Sequence, residues 1–459
     1  MKKEKYVAYV GTYTHENSVG IHIYDVDVAN GSMKERKVVP INNPSDLVVS
    51  KDRKFLYSIA DEGVEAFKVL PDGDLEAVNK QWIGGMRGCY VEVDDENRYL
   101  FVGGHHDGRV TMMHLEKDGS IGAIADGIFH IGMARGSDRR TNTPHVDCVK
   151  LTPDQKFLCA VDNGLDQVKI YRVDYTYGKL KLVDIIRGPL ESAPRMIRFS
   201  RDGKYAYILY ELTHEIEVYK YSVENEQPQF DKIQTITTQG KKEEDICAAS
   251  GMEITKSGKY LFVSNAGVNT VVAYEIDPAT GMLTQAFRTK VDSDYPKMLA
   301  IYPDEKHYLT VNNTSNDIVS YTINYEKNHH ARHRGIRSDK RSGPVQSAAA
   351  DSGGQGRPHG QARKRNDLLH PPQRKAERTG RLLHSARRRR HSGERFPAGT
   401  RPLPRTHGLQ RHQEPPRQDA DGVSRKSRRE IRRQPQCRHR LGPDDLHDEG
   451  RPHFARRHH

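Results

Sequence analysis

Cysteine is scarce: there are five in 459 residues, at positions 89, 148, 159, 247 and 437, and none has CxxC spacing. A disulfide-stapled scaffold of this length would carry more, so reduced thiols and a cytoplasmic setting are expected. No apolar run approaches the roughly 20 residues of a membrane span, which argues against a membrane partner. The opening MKKEKYVAYVGTY has a charged start and a short alternating run. It lacks the apolar core and small-residue cleavage site of a signal peptide. The chain has a single tryptophan, Trp82, and neither WD40 nor kelch signatures. Its histidines lack metal-ligand spacing: neighbours such as His105 and His106 on a strand or loop point in different directions. No metal and no cofactor is expected.

Aromatic residues are missing from the C-terminal part. All 22 tyrosines lie at or before Tyr325, and only Phe396 and Phe454 follow. Residues 327–459 carry 34 Lys+Arg against 13 Asp+Glu, whereas residues 1–326 are net acidic, so the overall charge of +12 belongs to the tail. Two regions follow: 1–326, a β-propeller by the repeats described next, and 327–459, a disordered basic tail. A nucleic-acid-binding arm would account for Arg387 to Arg390. A passive Pro/Arg linker is the plainer reading. The preferred one is out-of-frame translation, in which shifted GC-rich codons yield Arg, Pro, His, Gly and Ser; nucleic acid is not an expected partner.

What is present is a repeat. Residues 193–212, APRMIRFSRDGKYAYILYEL, read as strand, tight turn and strand. The unit recurs as LVVSKDRKFLYSIAD, VEVDDENRYLFVGG, VKLTPDQKFLCAVDN, MEITKSGKYLFVSN and LAIYPDEKHYLTVNN. A basic residue opens each second strand, at 54, 98, 156, 204, 259 and 306, and the period near fifty with no helical pattern specifies a β-propeller. A third strand follows each hairpin, for example QVKIYRV, and usually a fourth, for example KLKLV. Residues 6–40 hold three strands, a repeat without its first strand. The fold class is therefore an all-β, seven-bladed propeller. The tail has no alternating β-branched run, so the ring is expected to be incomplete at its C-terminal closure.

If first strands line the central channel, the residue before each first strand and the residue after each second strand share one rim. That rim collects Asn43 with Asp61, Arg87 with His105, His145 with Asp162 and Asn163, Arg195 with Glu211, Asn265, and Lys297 with Asn312. A base, carboxylates and cations around one concavity make a candidate site. The hairpin geometry brings Arg195 and Glu211 to the same end. The basic loop at 135–140 precedes His145 and is read as solvated rather than as a lid.

At GTYTHENSVGIHIYDVD, TPHVDCVKLTPDQKFL, APRMIRFSRDGKYAYILYEL and LFVSNAG, residues 6 to about 324 resemble the lactonase family of seven-bladed propellers. That family includes bacterial 6-phosphogluconolactonases and the fungal 3-carboxy-cis,cis-muconate lactonising enzyme. The resemblance implies hydrolysis of a sugar lactone, such as 6-phosphogluconolactone, with that small molecule as partner. It implies catalytic roles for His145, Arg195 and Glu211. His145 suits a base and Arg195 an oxyanion or anion donor, with Glu211 orienting either. Lys297, Asn265, Asn163 and His105 are expected to bind substrate. Lys297 matches a family Arg, and Ala266 stands where the family tends to carry another. A muconate-type cycloisomerase using the same three residues, or a non-catalytic binding module, are the alternatives.

Overall fold

The computed structural model describes residues 5–14, 18–61, 63–133, 143–240 and 247–326, with two further strands, His329–Arg332 and Pro452–Arg456. Seven four-stranded antiparallel sheets form the blades. Blade 1 comprises Tyr6–Val10, Gly20–Asp27, Ser32–Pro40 and Pro452–Arg456. Blades 2 to 6 take their strands in chain order and begin at Leu47–Val49, Tyr90–Val93, Val146–Leu151, Pro194–Phe199 and Ala248–Ile254. Blade 7 runs Pro296–Ile301, His307–Asn312, Asp317–Asn324 and His329–Arg332. First strands of successive blades touch around the ring, with Pro452–Arg456 taking that place in blade 1.

The repeated turn explains itself chemically. In SRDGK, Ser200 Oγ donates to Asp202 at 2.6 Å and Asp202 accepts the Lys204 amide at 3.2 Å. The same contacts recur through Asp52 and Asp154. The residue before the basic one is left-handed, with φ of 74° at Gly203 and 60° at Gln155, and glycine meets that requirement without a Cβ penalty. Second strands are sandwiched between neighbouring blades. Every residue of Tyr99–Gly104, Phe157–Asp162 and Tyr205–Tyr210 is buried. Each large apolar side chain there contributes roughly 1.5–3 kcal/mol.

The expectation that the tail supplies no strand is corrected at two places. Pro452–Arg456 pairs antiparallel with Tyr6–Val10, and His329–Arg332 pairs with Asp317–Asn324. Edge pairing uses main-chain groups, so an extended segment can complete a sheet without a β-branched pattern. Pro452 falls opposite Val10 at the strand end, where its missing N–H costs least.

Lower in the channel, side chains of several first strands meet. Lys150 Nζ donates to Glu92 at 2.6 Å, and Arg198 Nη1 reaches the Tyr90 hydroxyl, two blades away, at 3.2 Å. Glu253 lies 3.7 Å from Arg198 Nε.

Candidate functional site

Four consecutive first strands carry a β-bulge near their start. The ladder skips one residue in each: Asp147 in blade 4, Arg195 in blade 5, Ser250 in blade 6 and Lys297 in blade 7. A bulged residue leaves the ladder and its side chain is re-aimed. The four positions are linked around the rim. Arg195 Nη1 lies 3.8 Å from Asp147 Oδ2, Arg195 Nε donates to the Ser250 carbonyl at 2.9 Å, and Ser250 Oγ donates to the Pro296 carbonyl at 2.8 Å. Arg195 and Lys297 are thus second residues of their strands rather than residues preceding them, as the sequence reading has it.

Arg195 is presented by a tightly tied loop. The Asp166 carboxylate accepts the amides of Glu191, Ser192 and Ala193 at 2.8, 3.1 and 2.9 Å. These contacts hold Ala193 in the left-handed region, with φ of 51°, immediately before Pro194. The guanidinium then donates through Nη1 to Glu211 Oε2 at 2.8 Å, while the Glu211 amide donates to the Ala193 carbonyl at 2.8 Å. Burial works against the charge on Arg195. Glu211 and Asp147 outweigh it and hold the guanidinium pKa above its usual value.

His145 is fixed from three sides. Its amide donates to Asp162 Oδ1 at 2.9 Å, and its Nδ1 lies 2.7 Å from the His105 carbonyl. A carbonyl can only accept, so Nδ1 carries the hydrogen and Nε2 is the acceptor nitrogen, 3.1 Å from Thr143 Oγ1. The imidazole stacks on that of His105, centroids 4.3 Å apart and planes 19° apart. Burial, followed by the neighbouring His105, lowers the His145 pKa and favours the neutral ring. Behind it, Asp162 Oδ2 accepts from His130 Nδ1 at 2.6 Å, and the Tyr171 hydroxyl meets His130 Nε2 at 3.0 Å.

The structure therefore brings together His145, Arg195, Glu211 and His105. Asn163 adjoins them through its amide, which donates to the His145 carbonyl at 2.8 Å. Lys297 is buried at its bulge. Asn265 faces elsewhere. Its amide group donates to the Thr238 carbonyl at 3.0 Å and to Thr270 Oγ1 at 3.3 Å, and its oxygen accepts from Thr238 Oγ1 at 2.9 Å. By register it matches Asp162 and Tyr210, and the mate of Glu211 in blade 6 is Ala266. A shift of one residue along a strand reverses the face. Farther round, Asn43 Nδ2 donates to both Asp61 oxygens at 2.8 Å, and Arg87 pairs with Asp61 at 3.2 Å. The basic loop at 135–140 lies outside the described residues. Among the described residues no group of three or more His, Cys, Asp or Glu is arranged to hold a metal ion.

Sequence reasoning missed Asp147 and Ser250. The available signal was HVD, in which Asp147 follows two residues after His145.

The family model described as "Lactonase, 7-bladed beta-propeller" matches residues 7–334. The chain belongs to the lactonase family. Among lactonase-family relatives, it is 28% identical over 328 residues to the 6-phosphogluconolactonase of Bacillus subtilis, covering 69% of this chain and 91% of that one. It is 27% identical over 335 residues to the 6-phosphogluconolactonase of Formosa agariphila, covering 69% and 92%. Among solved structures, the periplasmic gluconolactonase of Pseudomonas aeruginosa superposes with a TM-score of 0.68 at 26% identity, over 72% of this chain and 95% of that chain. These likenesses support a lactonase-type activity for the chain.

Proposed function

We propose that this lactonase-family chain hydrolyses a sugar lactone, with 6-phosphogluconolactone as its substrate and His145, Arg195 and Glu211 as its working residues. One observation carries the reading: His145 offers Nε2 as its acceptor nitrogen on the same rim where Glu211 and Ser250 clamp Arg195. The relatives named 6-phosphogluconolactonase support the choice of lactone.

In this mechanism His145 Nε2 takes a proton from water as the water oxygen bonds to the lactone carbonyl carbon. The carbonyl oxygen becomes an oxyanion. Arg195 Nη1 and Nε are engaged by protein, and among the described residues Nη2 has no hydrogen-bond partner, so it is the donor assigned to that oxyanion. When the tetrahedral intermediate collapses, the bond from carbonyl carbon to ring oxygen breaks. The proton held on His145 passes to the leaving oxygen, and the product is the open hydroxy acid. Glu211 keeps the guanidinium charged and aimed. Lys297, two blades beyond Arg195, is assigned to the anionic end of the substrate.

His145→Ala and Arg195→Ala are each expected to lower kcat by roughly two to three orders of magnitude. Circular dichroism should report an unchanged fold. Turnover of 6-phosphogluconolactone at the parent rate by both variants would overturn the assignment.

A further inference from the structure

We infer that Asp147 is the positioning residue of this site: a single carboxylate that anchors both the ring supporting the base His145 and the guanidinium assigned to the oxyanion. The inference rests on the roles proposed for His145 and Arg195, and extends them to a residue with no role of its own in that mechanism.

The geometry is direct. Asp147 Oδ1 lies 2.5 Å from His105 Nδ1, and Oδ2 lies 3.8 Å from Arg195 Nη1. The side chains of His105 and Asp147 are 6% and 8% exposed, so both contacts operate in a poorly hydrated environment where they are stronger than in water. His105 in turn meets His145 twice. Its ring stacks on the His145 imidazole and its carbonyl accepts the His145 Nδ1 hydrogen, which leaves Nε2 as the basic nitrogen. A continuous path therefore runs from Glu211 through Arg195, Asp147 and His105 to His145. Movement of Asp147 displaces both ends of the reacting pair.

Packing alone does not account for a carboxylate here. Burying an anion costs several kcal/mol unless it is paired and hydrogen-bonded, and an apolar residue of similar volume would fill the space without that cost. The bulge gives a more specific reason. It stands where the next blades carry Arg195, Ser250 and Lys297, and it turns the residue out of the ladder toward the rim. At that position the carboxylate is supplied to the site, not to the blade.

The consequence concerns charge as well as place. As His145 gains its proton, a positive ring forms over His105, and an oxyanion forms at Arg195. A carboxylate fixed between the two cations favours the protonated base and holds the guanidinium from collapsing wholly onto Glu211. Asp147 takes no proton in this scheme and touches no reacting atom.

The test uses the full chain and compares Asp147→Asn, Asp147→Ala and His145→Ala for kcat, KM and melting temperature, with glucono-δ-lactone and 6-phosphogluconolactone as substrates. Asp147→Ala loses both contacts and is expected to lower kcat about a hundredfold, the scale of a misplacement near one ångström, with KM nearly unchanged. Asp147→Asn keeps an oxygen to accept from His105 Nδ1 but has no charge for Arg195, so a smaller fall in kcat is expected. Nitrogen-15 spectra of the imidazoles should show the parent His105 tautomer in Asp147→Asn and its loss in Asp147→Ala. If His145→Ala is inactive while both Asp147 variants keep the parent kcat, the positioning role is overturned and the assignment of the base stands. If all three turn over at the parent rate, the base assignment falls, and the positioning role with it. Should Asp147→Ala fail to fold, the kcat of Asp147→Asn decides alone: a fall supports the role, and the parent value overturns it.

Discussion

The imidazole of His145 donates its Nδ1 hydrogen to the main-chain carbonyl of His105, 2.7 Å away, across the gap between blades 3 and 4. A main-chain acceptor cannot rotate out of place as a side chain can. The nitrogen left facing the channel mouth is therefore Nε2 in every rotamer that keeps this bond.

Activity should follow the protonation of His145. Burial and then His105 depress its pKa from the ordinary 6.5, so the neutral base persists into mildly acidic solution. The acid limb of kcat/KM against pH is expected to have its midpoint below 6.5. A pH-rate profile with that midpoint at or above the ordinary histidine value would count against His145 as the base.

Asn265 is expected to matter for folding and not for substrate. Asn265→Ala removes two hydrogen bonds to Thr238, which follows the last strand of blade 5, and one to Thr270 Oγ1 in blade 6, while Arg288 still reaches the Thr238 carbonyl and the Thr238 hydroxyl still reaches the His214 carbonyl. Each hydrogen bond lost costs about 0.5–1.5 kcal/mol. Denaturant titration should register it, with KM for the lactone at the parent value. A raised KM at parent stability would return Asn265 to the binding site.

His130 should make stability depend on pH. Its pKa is lowered by burial despite the bond to Asp162. Its contribution is therefore fully present above the unfolded-state value of about 6.5. It is lost as pH falls from there through the folded value, because the unfolded chain binds the proton first. His130→Asn keeps a donor near the Nδ1 position for Asp162 and removes the titration. The fall in melting temperature between pH 7 and pH 5 is expected to be smaller in that variant. Equal slopes in the two proteins would refute the assignment.

Removing the closing strand should loosen the first blade. Tyr6–Val10 pairs on one side with Gly20–Asp27 and on the other with Pro452–Arg456. A chain ending at residue 334 exposes that second edge. Hydrogen exchange of the Tyr6–Val10 amides should quicken, and the melting temperature should drop. Unchanged exchange in the shortened chain would mean that this pairing contributes nothing.

Strands and turns were legible because their signals are local: alternation of period two, and a Ser/Asp/Gly turn whose hydrogen bonds close within five residues. The meeting of Arg195 and Glu211 at 2.8 Å was legible for the same reason, since one hairpin joins them. The bulges were not. An inserted residue at Asp147 or Ser250 leaves no compositional mark, yet it decides which side chain leaves the ladder. Asn265 was misplaced by one position, which suffices to reverse a strand residue from channel to blade interior. The closing strand PHFAR was missed because it binds through its main chain, and a search for apolar alternation cannot see that.

The contact between Arg198 and Tyr90, with Lys150 and Glu92 beside it, has a consequence for traffic. Tyr90, Glu92 and Arg198 are buried, with Arg198 joined to Tyr90 and Lys150 to Glu92 across blades 3 to 5, so in the proposed reaction material admitted beside His145 is expected to retreat by the same route. On the proposed reaction, an open hydroxy acid lingering over Arg195 would bar the next lactone. Departure, rather than bond breaking, becomes the slow event whenever the acid binds well, and added product should compete with substrate for occupancy.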